Sequence, residues 1–201
     1  MRTDDDSGGL IYRPTSILDR LPLDELFPNA QPLEVELGAG DGSFLAAYAE
    51  AQLKRNFLGV ERLLGRLRKI ERKARRAGLT NLRLVRIEAN YLTQYLLPRE
   101  SVHAMHIYFP DPWPKRRHWK NRLIDSGFTE VLRRALVPGG MVFLRTDDAP
   151  YFEQMLNSFA ANPAFERCET PQELLAIKTD FERGFHQRGV ATLHAAYRKN
   201  G

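Results

Sequence analysis

A strand that runs directly into a glycine-rich turn is the feature that most restricts the fold of this chain. The short strand Leu33 to Leu37 is followed by Gly38-Ala39-Gly40-Asp41-Gly42. Ser43 is then expected to cap a helix from Phe44 to Leu53. Because a chain must cross one face of a sheet before it can enter the next parallel strand, this unit predicts a parallel sheet.

The same unit recurs along most of the chain. Further strands are predicted at residues 57–61, 82–87, 102–109 and 141–145. Helices are predicted between them at residues 63–77, 91–97 and 122–136. Right-handed crossovers cover both faces of such a sheet, so we predict an α/β fold with a mostly parallel, doubly wound sheet. A helix at 151–161 and strands at 165–169 and 190–197 then predict an antiparallel hairpin at one edge.

Size and composition favour one domain behind a short N-terminal segment. Residues 1–31 show no sustained period, and we interpret them as an arm followed by a capping segment. The rest of the 201 residues, 32–201, is predicted to be a single domain, since 43% hydrophobic residues are typical of a globular core. The single Cys168 excludes an intrachain disulfide, and no Cys/His spacing suggests a metal. No leader or spanning segment is recognisable, so a cytoplasmic location is expected.

An acidic residue precedes the glycine turn and bears on which ligand could bind there. The turn reads G-x-G-x-G at Gly38, Gly40 and Gly42, not the G-x-G-x-x-G of dinucleotide-binding folds. Glu36 would repel a pyrophosphate but would attract the ammonium and sulfonium groups of S-adenosyl-L-methionine. This methyl donor is therefore favoured. A turn that serves packing alone remains the alternative.

Two more acids follow the next two predicted strands. Glu61 ends the second strand, where a carboxylate can accept hydrogen bonds from both hydroxyls of a ribose. Glu88 follows the third strand, where it could accept a bond from an adenine amino group. The alternatives are a helix-dipole role for Glu61 and a solvated loop position for Glu88.

The segment from Phe109 to Arg122 combines prolines, tryptophans and basic residues after the fourth strand. Prolines stiffen a loop, and alternating aromatic and cationic residues suit a single-stranded nucleic acid. Trp113 and Trp119 could stack on bases, or they could pack inside the protein. The net charge of +5 also favours a polyanionic partner. The basic helix at residues 62–76 is interpreted as a solvated face.

Together these motifs resemble those of the tRNA (guanine-N7)-methyltransferases. The segments that carry the resemblance are Glu36 to Gly42, Gly59-Val60-Glu61, Phe109 to Lys115, Thr146-Asp147 and Thr179 to Glu182. The resemblance implies a Rossmann-like class I methyltransferase fold with a reversed final hairpin. It also implies that the chain transfers a methyl group from S-adenosylmethionine to guanine 46, in the variable loop of tRNA.

By the same resemblance, roles are assigned to individual residues. Those expected to bind the donor are Glu36, Gly38, Gly40, Gly42, Glu61, Glu88 and Asp111. Those expected to contact the substrate are Lys115, Asp147, Thr179, Asp180, Phe181 and Glu182. Asp111 is also expected to act in catalysis, because a carboxylate can stabilise the positive charge that N7 methylation leaves on the purine.

Other functions stay open at this point. A nicotinamide-dependent dehydrogenase is disfavoured by Glu36 and by the basic aromatic loop. A class I methyltransferase acting on another RNA, a protein or a small molecule would share the donor residues. A non-catalytic relative would bind tRNA but not the donor. The sequence does not decide between a monomer and a homodimer.

Overall fold

A computed structural model describes residues 9–201, and these residues contain one mixed sheet. Its strands are β1 (Ile11–Tyr12), β2 (Leu33–Leu37), β3 (Asn56–Val60), β4 (Leu82–Val85), β5 (Val102–Tyr108), β6 (Leu136–Thr146), β7 (Phe165–Cys168) and β8 (Leu193–Lys199). Their order across the sheet is β1-β4-β3-β2-β5-β6-β8-β7. Only the pairs β6 with β8 and β8 with β7 are antiparallel. The predicted fold class, with its antiparallel C-terminal edge, is confirmed.

The helices cover both faces of the sheet. They are α1 (Leu23–Leu26), α2 (Ser43–Ala51), α3 (Leu64–Arg76), α4 (Ala89–Tyr91), α5 (Ser126–Ala135), α6 (Ala149–Ala160), α7 (Gln172–Ala176) and α8 (Asp180–Gln187). Leu92–Leu96 continues α4 as a π-helical turn, and Arg116–Asn121 is a 3₁₀ helix. The core is divided between the two faces, because successive strand residues point to opposite sides. Ile107 packs with α5 and α6, whereas Tyr108 packs with α2.

The segment before β2 packs closely against the sheet. Ile11 and Tyr12 pair in parallel with β4 at the sheet edge, a strand too short to be recognised from its sequence. Leu21, Leu26 and Phe27 are buried in the core. Residues 1–8 of the predicted arm lie outside the described residues.

The structure corrects the predicted cap of α2. Gly42, not Ser43, occupies the N-cap position, with a φ of +71° that glycine adopts without strain. A Cβ at Gly42 would also come within 2.6 Å of Ile70 Cγ1, so α3 requires a glycine here. The hydroxyl of Ser43 instead accepts the backbone N–H of Asp180, at 2.9 Å. The glycine turn is thereby joined to the start of α8.

The predicted helix at 122–136 begins too early and ends one residue late. α5 starts at Ser126, because the carboxylate of Asp125 caps it by accepting the N–H of Phe128 at 2.7 Å. β6 starts at Leu136, directly after α5, although Pro138-Gly139-Gly140 predicts a break there. Gly139 has a φ of +75°, and the pairing register between β5 and β6 shifts beside it. A bulge thus keeps this segment inside the strand.

Candidate active site

A cleft opens at the carboxyl ends of the central strands. From β2 the chain continues to β3 and β4 on one side of β2, and it then crosses to β5 and β6 on the other side. The direction of strand order therefore reverses at β2. Ligands of open α/β sheets bind at such a switch point. The cleft consists of two adjoining cavities of about 280 Å³ and about 130 Å³. Both are lined by Gly38, Arg66, Tyr108, Phe109 and Asp111.

One side of the cleft, the strand-end wall, consists of Glu36, the glycine turn at residues 38–42 and Glu61. Glu36 lines the smaller cavity and is only 4% exposed. Its Oε2 atom is buried and has no hydrogen-bond partner. Burial raises the pKa of Glu36 well above its usual range, although the positive charge of Arg145 opposes the rise. A buried carboxylate without a partner fits a cationic ligand, which would supply the missing hydrogen bond.

The glycines and Glu61 complete this wall. Gly38 and Gly40 both have positive φ angles and line the smaller cavity. Glu61 is 7% exposed and lines the larger cavity. Its carboxylate accepts the N–H of Gly40 at 3.2 Å and that of Leu63 at 2.9 Å. Glu61 therefore fixes the turn and the start of α3 while it faces the cleft.

Glu88 also lines the larger cavity but is exposed. Both of its carboxylate oxygens cap α4, since they accept the N–H groups of Asn90 at 3.0 Å and Tyr91 at 2.8 Å. A ligand in this part of the cleft would therefore meet a carboxylate that is already held in place by its hydrogen bonds to α4.

The opposite side of the cleft, the loop wall, is formed by residues 109–122. Asp111 is exposed and lines both cavities. Phe109 and Trp113 have φ angles of +52° and +48°, which side chains rarely adopt, so the loop is held in an unusual shape. Trp113 lines the larger cavity and meets His118 edge-on at 5.9 Å between ring centroids.

Arg122 explains how the loop wall keeps its shape, a role that was not predicted from the sequence. It is 4% exposed, and its guanidinium lies between the rings of Trp119 and Tyr151, at 4.4 and 4.7 Å from their centroids. It donates to the carbonyl of Pro112 at 2.8 Å and to Oε1 of Gln154 at 2.9 Å. Trp119 is thus occupied by an internal cation on one face. Nothing in the local sequence distinguishes this arginine from the exposed basic residues before it.

The remaining predicted substrate residues are divided by the structure. Thr179 and Phe181 line the smaller cavity, and Asp180 is exposed beside them. Glu182 is buried and pairs with Arg145 at 2.9 Å. Lys115 is exposed and Asp147 half-buried, and neither lines either cavity. Arg145, which was not predicted as a site residue, is a second buried cation and lies against Phe44 and Tyr108 of the smaller cavity.

Within residues 9–201, no helix is both long and apolar enough to cross a membrane. Within the same residues, no three His, Cys, Asp or Glu side chains are grouped so that they could hold a metal ion.

The fold is that of the class I methyltransferases. The solved 16S rRNA methyltransferase KamB has a similar fold: its TM-score is 0.66 at 15% identity, over 89% of this chain and 93% of that one. Residues 30–195 match a family model described as "Putative methyltransferase".

Two curated relatives narrow the class to a family. The tRNA (guanine-N(7)-)-methyltransferase of Halorhodospira halophila is 38% identical over 89% of this chain and 79% of its own length. That of Rubrobacter xylanophilus is 35% identical over 91% and 83%. The chain belongs to the tRNA (guanine-N7)-methyltransferase family.

Proposed function

We propose that this chain transfers a methyl group from S-adenosylmethionine to N7 of guanine 46 in the variable loop of tRNA. Its relatives are named as tRNA (guanine-N(7)-)-methyltransferases, which supports the acceptor. The observation that carries the donor is the buried, unpartnered carboxylate of Glu36 in the cleft. Position 46 rests on the resemblance of the motifs described above.

The residues of the strand-end wall suit this donor. Glu36 would accept hydrogen bonds from the ammonium group, and Gly38 and Gly40 would leave room for the ligand beside the turn. Gly42 lines neither cavity and faces Ile70, so it would act by keeping the turn close to α3. Glu61 and Glu88 line the larger cavity and would hold the ribose and the adenine. Asp111 lies where the two cavities meet and would contact the donor there. When bound, S-adenosylmethionine supplies an electrophilic methyl group.

The chain does not need to supply a base for this reaction. N7 of guanine carries an in-plane lone pair and no proton, so the nucleophile exists without proton removal. Positioning of the base should therefore dominate catalysis. Asp111, and Asp147 directly after β6, would offset the positive charge that develops on the purine, or would accept from its N1–H and amino groups.

The loop wall suits an RNA partner, because four of its cations are on the surface. Lys115, Arg116, Arg117 and Lys120 are all exposed. They would contact phosphates, while Thr179, Asp180 and Phe181 would contact the target nucleotide at the rim of the smaller cavity. A base in a folded tRNA must leave its stack to reach such a cleft, and backbone contacts offset that cost. A tRNA substrate would place the chain in the cytoplasm.

Methylation of unmodified tRNA transcripts with a tritiated donor tests the proposal directly. We expect label in a transcript that carries guanine at position 46, and aniline cleavage should locate the modified base there. The matched transcript with adenine at position 46 should remain unlabelled. Label at another position, or label only in protein or small-molecule acceptors, would contradict the proposed acceptor. Binding of tRNA without any binding of the donor would contradict an enzymatic role.

A further inference from the structure

We propose that Glu182 and Arg145 are a positioning pair that holds the C-terminal segment, residues 174–182, against the donor cavity, and that Glu182 does not contact the acceptor. This inference rests on the proposed function, because it assigns a role within the same cleft. It separates Glu182 from Thr179 and Phe181, with which the motif groups it.

Arg145 connects the central sheet to the C-terminal segment. It lies on β6, is 1% exposed, and makes hydrogen bonds through its two terminal nitrogens to one later stretch of chain, while its buried Nε atom has no hydrogen-bond partner. It donates to the carbonyl of Ile177 at 2.8 Å, to the carbonyl of Leu174 and to Oε2 of Glu182 at 2.9 Å. One buried cation therefore ties three points of the C-terminal segment to the central sheet.

The position of Arg145 relates this segment to the cleft. Its guanidinium carbon lies 4.3 Å from the ring centroid of Tyr108 and 5.5 Å from that of Phe44. Both rings line the smaller cavity, as does Glu36. The positive charge of Arg145 acts to lower the pKa of Glu36, against the larger effect of burial. The same side chain thus supports the cavity from beneath and anchors the segment at its rim.

Both carboxylate oxygens of Glu182 accept hydrogen bonds inside the protein. Oε2 accepts from Arg145 and from the N–H of Thr179 at 3.4 Å, and Oε1 accepts from the hydroxyl of Thr192 at 3.3 Å. In turn, the hydroxyl of Thr179 accepts the backbone N–H of Glu182 at 3.0 Å. This reciprocal capping box fixes the first turn of α8.

The neighbours of Glu182 in the chain are directed to the cavity by this arrangement. Thr179 and Phe181 line it, and the N–H of Asp180 bonds to Ser43, the residue that follows the glycine turn. If the pair is broken, the rim of the donor cavity should loosen even when no RNA is present. A residue that only contacted the acceptor would leave the free enzyme's donor affinity unchanged.

Calorimetry with S-adenosylhomocysteine, on the full chain without tRNA, tests this difference. We expect Glu182→Ala to weaken binding by about 10-fold, as the loss of a charged hydrogen bond to the rim would. Arg145→Met combined with Glu182→Ala should weaken it no further than the worse single variant, because the two residues act as one unit. Glu173→Gln, which removes an exposed acid from α7, is the matched control and should bind as the unaltered chain does.

Hydrogen exchange gives a second readout that does not depend on the donor. Amides at residues 174–187 should exchange faster in Glu182→Ala than in the unaltered chain, and Glu182→Gln serves if the alanine variant does not fold. Unchanged donor affinity together with a raised KM for tRNA would overturn the inference and make Glu182 a substrate contact. Failure of the unaltered chain to bind S-adenosylhomocysteine would instead count against the proposed function, while the exchange data would still test the pair.

Discussion

The two walls of the cleft are built in different ways. The strand-end wall takes its acids from the ends of β2 and β3, and Glu36 and Glu61 are both almost fully buried. The loop wall presents an exposed acid, Asp111, on a segment without regular strand pairing. Its shape depends on Arg122, which reaches from the loop to Tyr151 and Gln154 on α6. The sheet holds one wall, and long-range side-chain contacts hold the other.

This difference indicates which property each wall controls. Buried acids with fixed positions suit tight binding of a small cationic ligand, because no reorganisation is needed. An exposed loop stiffened by prolines and a stacked arginine suits a large partner that approaches from solvent. We therefore expect substitutions in the strand-end wall to change donor affinity, and substitutions in the loop wall to change turnover and RNA binding.

The largest effect is expected from substitution of Asp111, the acid that lines both cavities. Asp111→Ala should lower the single-turnover rate at saturating donor by roughly 10²- to 10³-fold, as loss of an electrostatic stabiliser does. Affinity for S-adenosylhomocysteine should change far less. Asp111→Asn should show an intermediate rate if charge is the important property. An alanine variant with an unchanged rate would remove Asp111 from the mechanism and break the division between the walls.

The next effect concerns Glu36. Glu36→Gln should weaken binding of S-adenosylhomocysteine by roughly 10- to 150-fold, because a charged hydrogen bond contributes about 1.5–3 kcal/mol. Glu50→Gln, an exposed substitution on α2, is the matched control. If the glutamine variant binds the ligand as tightly as the unaltered chain, Glu36 does not hold the ammonium group.

The same variant should alter stability in the opposite direction. Burial raises the pKa of Glu36 above its ordinary value of 4.5, so the carboxyl destabilises the fold increasingly as the pH rises from that value through the raised pKa. Glu36→Gln should therefore increase the melting temperature of the ligand-free protein more at pH 8 than at pH 5. An equal change at both pH values would mean that burial does not raise the pKa of Glu36.

The contrast between the walls also explains what the sequence can predict. Strands and turns depend on neighbours in the chain, so β2 and the glycine turn are predicted at the positions where the structure has them. The pair of Arg145 and Glu182 joins residues 37 positions apart, and the hydrogen bond of Ser43 to Asp180 spans 137. Local patterns carry no signal for such contacts. Ser43 is therefore wrongly predicted to cap α2, and the burial of Glu182 is not predicted.

A smaller effect should follow from loosening the loop wall. Arg122→Lys keeps the charge but loses the planar group that stacks between Trp119 and Tyr151. We expect kcat/KM for tRNA to fall by about 10-fold, because the loop would hold its acid less accurately. Donor affinity should stay within about twofold, since Arg122 lines neither cavity. The matched control is Arg72→Lys, an exposed change on α3 at a residue that lines neither cavity, which should have little effect.

The smallest effect concerns the exposed end of the loop wall. Lys115 lines neither cavity, so Lys115→Ala should leave donor binding intact and weaken tRNA binding only a few-fold. Its signature is the salt dependence, because removing one lysine–phosphate interaction makes the slope of log K against log salt shallower by about 0.7–0.9. Lys54→Ala removes an exposed lysine between α2 and β3, at the opposite end of the strands, and should leave the slope unchanged. If Lys115→Ala gives the same slope as Lys54→Ala, the RNA backbone does not contact Lys115. The loop wall would then act on the target base without binding the phosphates beside it.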